Sequence, residues 1–193
     1  MPIVEDVKRN IEASWKPRER FYGTFDNDKN AYVINNVRLP GATFNTTDIQ
    51  VKISEVAEDT AAIKLCMYCT VSTSRKNRLN MQEFLTYINY GMLLGTFEVK
   101  PMFIPNSNSS AFPGGTVRYR RTITVRNADG SGKMLKDSLE IGCDILVAFS
   151  ELLSKVATID NYPFQEILCD IQELKNNPQF QKIKSYFDDD LFR

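Results

Sequence analysis

Three arginines on one predicted strand are the residues best suited to hold an anionic partner. Arg118, Arg120 and Arg126 are spaced by even numbers of residues, so an extended strand places all three on one face. Guanidinium groups pair well with phosphates and carboxylates, which is the chemistry of a groove for RNA or for an acidic peptide. The alternative is a solvated polar face whose arginines meet cross-strand acids such as Glu98. We treat the three arginines as candidate partner-binding residues.

The balance of charge weighs against nucleic acid as the partner of these arginines. The chain has 193 residues with 24 Lys and Arg against 24 Asp and Glu, so no overall positive field attracts a polyanion. No glycine-rich RNA-binding motif accompanies the arginines. We therefore expect a protein or peptide partner, and we keep a nucleic-acid-binding or nucleotide-binding protein as the alternative.

The string Cys66-Met67-Tyr68-Cys69 matches the C-x-x-C pattern of metal and redox sites. Such sites need both sulfurs to converge from a turn or from the start of a helix. Here the string lies within an alternating apolar strand, where an offset of three residues sends the two side chains to opposite faces. All four cysteines of the chain lie in apolar segments, so we interpret them as buried thiols in a reducing compartment.

Carboxylates offer the remaining candidate chemistry. Glu140, Asp144 and Glu151 fall close to one face of a predicted helix, where paired carboxylates can act as acid and base or bind a cation. No nucleophile or second set of ligands lies near them in sequence, so we favour a solvent-facing strip. The acidic run at 188–190 lacks the spacing and the glycine of an EF-hand loop.

The absence of histidine narrows the possible chemistry further. It excludes Ser-His-Asp and Cys-His nucleophile pairs and histidine-containing zinc sites. We therefore predict a protein that is not an enzyme, with no catalytic residue, no cofactor and no metal.

Hydrophobic periodicity predicts the elements that position these side chains. In chain order they are a helix over 2–15, strands over 31–37, 48–56 and 61–71, a helix ending near residue 92, strands over 95–99 and 116–126, and a helix over 137–159. Two amphipathic helices follow. The predicted fold is an α+β domain with an antiparallel sheet, in the order α-β-β-β-α-β-β-α, plus a C-terminal helical tail.

Three local predictions accompany this order. Ser72, Thr73 and Ser74 are N-cap candidates for the second helix, and Asp137 for the long one. The polar segment 104–115 is predicted to be a mobile loop. Apolar spacing predicts a buried stripe on the second helix, made of Met81, Phe84, Leu85, Ile88 and Met92. Aromatic residues predicted to pack in the core are Phe84, Tyr87, Tyr90, Phe97 and Tyr119.

The helix over 137–159 carries two apolar stripes, so we expect it to be covered on two sides. The first stripe is Leu139, Cys143, Leu146, Leu153 and Val156, and the second is Ile141, Ile145, Ala148, Leu152 and Ile159. The sheet can cover one side. The other side requires either the C-terminal tail or another subunit, and we predict a homodimer formed through this helix or through the sheet.

The element order and two central motifs resemble the YbjN family of bacterial proteins. Ile88-Asn89-Tyr90 followed by Leu94-Gly95-Thr96-Phe97-Glu98 is similar to that family's helix-end and strand pattern, and Val117-Arg118-Tyr119-Arg120 is similar to its "v-r-y-r" strand. The resemblance implies a type III secretion chaperone-like fold over residues 1–160, with residues 161–193 as a helical extension packed on it. It also implies a homodimer-prone binding module, described as a sensory transduction regulator, without an established reaction.

The start of the chain and its hydropathy bear on its location. The first 15 residues are charged and amphipathic without an apolar core, unlike a signal peptide. No apolar run approaches the roughly 20 residues of a membrane span. We therefore expect a cytoplasmic protein that does not insert into a membrane.

Overall fold

The computed structural model describes residues 3–44, 46–74, 76–101 and 115–188. Within these ranges the chain forms five α-helices, one 3-10 turn and a six-stranded antiparallel sheet, which confirms the predicted α+β class. The helices are α1 (Ile3–Ser14), α2 (Arg78–Gly91), α3 (Ser131–Thr158), α4 (Phe164–Leu174) and α5 (Pro178–Ile183), followed by the 3-10 turn Lys184–Tyr186. The strands are β1 (Thr24–Asp26), β2 (Ala31–Arg38), β3 (Thr46–Ala57), β4 (Thr60–Thr73), β5 (Thr96–Pro101) and β6 (Gly115–Val125).

The sheet has one buried face and one open face. Its strands lie in the order β1-β2-β3-β4-β6-β5. The register aligns Ile49 of β3, Met67 of β4, Tyr119 of β6 and Phe97 of β5 in one row, and all four are buried. Along each central strand the intervening residues are more exposed, as expected when helices cover one side of an antiparallel sheet.

Helix α3 lies directly on the buried face. A Cβ atom added at Gly142 would overlap the sulfur of Met67 and lie 3.1 Å from the ring of Tyr119. The helix backbone can approach the sheet this closely only because residue 142 has no side chain.

Most of the second apolar side of α3 is covered by the chain's own segments. Ile145, Ala148 and Leu152 are buried, whereas Ile141 is half-buried and Ile159 is 44% exposed. The ring of Phe149 lies 5.9 Å from that of Phe180 in α5 and 5.5 Å from that of Phe187. Helix α1 packs against the start of α3, where Asn10 Oδ1 accepts a hydrogen bond of 3.1 Å from Gly132 N–H. Of the two coverings predicted for this side, the tail is therefore the one present.

Three local features differ from the prediction. Strand β1 was not predicted, because three residues are too few to display an alternating pattern. Helix α3 begins at Ser131 and not at Asp137, since its first turn is held by Asn10 of α1, a contact that local sequence does not reveal. The predicted caps of α2 are also wrong. Ser72 and Thr73 belong to β4, and Ser74 instead accepts a hydrogen bond from Asn77 N–H just before α2.

The predicted core is largely confirmed. Every residue of the stripe on α2 is buried, and so are Phe84, Phe97 and Tyr119 of the aromatic set. Tyr90 is the exception: its side chain is 87% exposed, because it lies on the outer face of α2. Most of the predicted loop 104–115 and the acids at 189 and 190 lie outside the described residues.

Candidate functional site

The open face is the side of the sheet opposite the helices. Side chains at Gln50, Lys52, Lys64, Cys66 and Arg120 project from it and are half-buried or exposed. The described helices all pack on the other side, as the burial pattern of β3, β4 and β6 shows. Among the described elements none covers this broad polar surface in the middle of the sheet.

Arg118 and Arg120 both lie on the open face and share one carboxylate. Arg118 Nε donates to Glu98 Oε1 at 2.7 Å, while Arg120 Nε lies 3.6 Å from the same oxygen. This is the cross-strand pairing that the sequence left open as the alternative to a binding groove. Arg118 is hydrogen-bonded to Glu98, whereas the Arg120 side chain is 49% exposed.

Arg126 lies apart from the other two arginines. It follows the last residue of β6, about 20 Å along the strand direction from Arg120. There it lines a groove of about 720 Å³ together with acids that include Asp6, Glu58 and Asp129. The structure therefore brings together Arg118 and Arg120 but not Arg126.

Two lysines that were not predicted as site residues complete the central surface. Lys52 of β3 and Lys64 of β4 are direct partners in the antiparallel ladder, and both are exposed on the open face. Arg120 is paired with Cys66, so it lies diagonally one row from Lys64. We call Lys52, Lys64 and Arg120 the cationic cluster. Within the described part of the chain, neither lysine forms an ion pair.

The nearest carboxylates of this face are already engaged. Asp26 forms an ion pair of 2.9 Å with Lys29. Asp48 accepts a hydrogen bond of 2.9 Å from Asn36 N–H. Glu98 forms ion pairs with both Arg118 and Arg120. Within the described part of the chain, Lys52 and Lys64 therefore have no counter-charge, whereas Arg120 shares Glu98 with Arg118, and carboxylates border the cationic cluster.

A β-bulge creates the juxtaposition of the two lysines. The turn at 58–59 pairs Ala57 with Thr60, and continuing that register would set Lys52 opposite Leu65. The extra residue between Glu55 and Ala57 shifts the ladder by one position, which sets the apolar residues of the two strands opposite one another, such as Ile53 opposite Ile63 and Val51 opposite Leu65. The same shift places Lys52 opposite Lys64. Alternation could have indicated that both lysines share a face, but loop length alone would have misplaced the register.

Tyr68 is the aromatic side chain of the open face. Lys100 Nζ lies 5.2 Å and the Arg118 guanidinium 6.0 Å from its ring centre. Its hydroxyl donates to Gln50 Oε1 at 3.2 Å. Cations therefore already occupy the ring surface on which a nucleic-acid base could stack.

The two sulfurs of the C-x-x-C string lie on opposite faces, as predicted. Cys66 is half-buried on the open face and Cys69 is buried on the other. The prediction of buried thiols is confirmed for Cys69 and Cys143 but is wrong for Cys169, which is exposed on α4. Burial raises the pKa of the Cys66 thiol and raises the pKa of Cys69 to about 12, so both are protonated near neutral pH. Among the described residues no group of three potential ligands could hold a metal ion.

The carboxylates of α3 are separate surface charges. Glu140 Oε2 accepts from Arg20 Nη1 at 2.7 Å, and Glu151 lies 3.4 Å from Lys155 Nζ. Their side chains are 48% and 67% exposed, and Asp144 is exposed as well. This arrangement fits the solvent-facing strip better than a catalytic pair, which requires an enclosed site.

The motif that ends α2 is a structural corner. Asn89 uses its side-chain amide to bond both backbone groups of Phe97, with each hydrogen bond at 2.7 Å. Gly95 adopts a φ of 81°, and Tyr119 Oη donates to Leu94 O at 2.7 Å. The backbone N–H and C=O of Phe97, on the outer edge of β5, are therefore already hydrogen-bonded. Pro101 on the same strand has no N–H to donate. This edge of the sheet is for both reasons poorly suited to accept another strand.

Two further observations complete the description. Within the described ranges, no helix combines the length and apolarity needed to cross a membrane. Comparison of the chain with protein-family models, with curated proteins and with solved structures gives no match.

Proposed function

We propose that this chain is a non-enzymatic binding module that docks an anionic segment of a protein partner on its open face. The observation that carries the proposal is the pair Lys52 and Lys64, directly opposed and without a carboxylate partner in the described part of the chain. Like charges in directly opposite positions destabilise a sheet. An anionic partner converts that repulsion into a pair of attractive contacts.

The surroundings of the pair support a protein partner over nucleic acid. A single-stranded nucleic acid uses a continuous basic track with aromatic stacking platforms. The ring of Tyr68 is already covered by cations, and Arg126 lies far from Arg120. Carboxylates also border the cationic cluster, which disfavours a chain of phosphates. Nucleic-acid binding through the Arg118, Arg120 and Arg126 face remains the alternative outcome of the test.

The proposed module acts as a regulator in the cytoplasm, in keeping with its resemblance to the YbjN family. Four free cysteines support a reducing compartment. A homodimer stays part of the prediction, but most of the second side of α3 that suggested it is covered by the chain's own helices. The basic open face also opposes docking of two copies through the sheet. Light scattering of the purified chain would measure its oligomeric state.

A capture experiment tests the proposed surface. Wild-type protein, a Lys52→Gln/Lys64→Gln double variant and a Lys133→Gln control are immobilised and exposed to the same cell extract, with and without nuclease. Lys133 is an exposed lysine on α3, on the helical side of the fold. We expect nuclease-resistant protein partners that bind the wild type and the control but not the double variant. The proposal would be contradicted if the same partners also bind the double variant, or if nuclease treatment abolishes their retention on the wild-type protein.

A further inference from the structure

The cationic cluster is compact enough for all its members to reach one anion. Direct cross-strand partners have Cβ atoms about 5 Å apart, which applies to Lys52 and Lys64. The diagonal step from Lys64 to Arg120 is about 7 Å at the Cβ atoms. Long side chains span such separations, so the two ammonium groups can converge above the sheet. The Arg120 guanidinium, whose Nε lies 3.6 Å from Glu98 on β5, joins them by a change of side-chain rotamer.

The number of donors fits a phosphate monoester better than a carboxylate. A carboxylate offers one negative charge and two oxygens, which leaves one of the two unpaired lysines without a counter-charge even though Arg120 already has Glu98. A phosphorylated side chain carries a charge of about −1.5 to −2 and three strongly accepting oxygens. Thr122, paired with Lys64 and exposed, adds a hydroxyl donor beside the cluster.

The carboxylates around the cationic cluster favour an anion whose charge is confined to one group. Asp26 lies in the row of Lys52, beyond Ala31, and Asp48 and Glu98 lie on the far side of the row that contains Arg120. Asp26 and Glu98 are paired with cations, whereas Asp48 accepts a hydrogen bond from a backbone N–H and repels further negative charge at its position. A polyphosphate chain that extended from the cluster towards Asp48 would meet this charge, whereas a single phosphorylated residue within an otherwise uncharged segment would not.

We infer that the open face recognises a phosphorylated side chain in the partner, held by Lys52, Lys64 and Arg120. This inference rests on the proposed function and sharpens it, because it names the chemical group that the docked segment presents. The two lysines supply point charges and the arginine a planar pair of donors, a combination suited to phosphate.

Fluorescence anisotropy with labelled peptide pools tests the inference. The pools share degenerate, uncharged flanks and differ only at the centre, which is phosphoserine, glutamate or serine. We expect the phosphoserine pool to bind the wild type about tenfold more tightly than the glutamate pool, because charge-assisted hydrogen bonds are lost with glutamate. Lys52→Gln and Lys64→Gln should each weaken phosphoserine binding about tenfold, and Lys133→Gln should leave it unchanged.

The pH dependence of binding provides a second readout. The phosphoserine dianion takes up one proton near pH 6 and becomes a monoanion, so its affinity should fall as pH drops from about 7 to about 5. Glutamate binding would persist to about pH 4.3. The chain contains no histidine, so no imidazole of the protein contributes to the change in affinity between pH 7 and pH 5.

The outcomes separate the inference from the proposed function. If the phosphoserine and glutamate pools bind equally and both depend on Lys52 and Lys64, the open face is a binding surface but the inference is wrong. If neither pool binds, both are wrong. Tighter binding of a labelled single-stranded RNA than of the phosphoserine pool, with the same lysine dependence, would also overturn the inference.

Discussion

The two faces of the same sheet differ in what their side chains contact. The buried face is apolar apart from groups such as Arg121, whose buried Nη1 has no hydrogen-bond partner among the described residues. On the buried face, Met67, Tyr119 and Phe97 contact neighbouring side chains, and Tyr119 also finds a hydrogen-bond acceptor in Leu94. On the open face, Lys52 and Lys64 face each other without an acid in the described chain. The buried face is arranged for stability, while the repulsion between Lys52 and Lys64 costs some stability, which under our proposal is the consequence of keeping the open face available to a partner.

The largest expected effect comes from the buried face. Phe149 is fully buried and its ring packs against Phe97, Phe180 and Phe187. Phe149→Ala should lower the free energy of unfolding by about 4 kcal/mol, because it leaves a cavity between the sheet and the tail. Urea unfolding followed by circular dichroism measures this change. A loss below about 1 kcal/mol would mean that the tail does not pack on α3 as described.

The next effect concerns the corner between α2 and β5. Asn89→Ala removes two hydrogen bonds to Phe97, and we expect a loss of about 2 kcal/mol in the free energy of unfolding. Gln82→Ala, at an exposed position on the same helix, is the matched control and should change stability little. If the two substitutions lower the free energy of unfolding equally, the structural role that we assign to Asn89 is contradicted.

Alkaline pH should destabilise the protein through its buried thiols. Burial raises the pKa of Cys69 in the folded state to about 12, from an ordinary value of 9.0. Stability is therefore complete below pH 9 and falls as pH rises from 9 towards 12, by roughly 1 kcal/mol at pH 10. Denaturant unfolding at pH 8 and pH 10 measures the loss. In Cys69→Ala the loss should be smaller, and an unchanged loss would assign it to other groups.

The smallest expected effect has the opposite sign. Lys64→Gln removes the repulsion across from Lys52, so we expect the free energy of unfolding to rise by about 0.5 kcal/mol. Added salt should reduce the difference from wild type, since it screens exposed charges. The Lys133→Gln variant controls for the loss of one positive charge. Destabilisation by Lys64→Gln would mean that this lysine already makes a stabilising contact within the protein and is not available to a partner.

The sequence indicated the framework of the fold because its signals are periodic. Alternation along β3 and β4 and the apolar stripe of α2 predicted both elements and the residues that they bury. What escaped prediction depends on tertiary contacts. The early start of α3 relies on Asn10 of another helix, and the exposure of Tyr90 depends on which side of α2 the sheet occupies.

The candidate site could be predicted only in part for a similar reason. The even spacing of Arg118 and Arg120 correctly placed them on one face, and Glu98 was correctly named as an opposing acid. The extension to Arg126 required knowing where β6 ends. The pairing of Lys52 with Lys64 depends on a bulge that inserts one residue into the ladder, and no local pattern in the sequence marks it.

Mapping of the bound peptide by NMR tests the central claim most directly. The phosphoserine pool is titrated into the isotopically labelled full chain, and backbone and side-chain shifts are followed at each residue. The account predicts the largest changes at Lys52, Lys64 and Arg120 and on their neighbours in β3, β4 and β6. Changes concentrated on the helices, with the open face unaffected, would contradict it.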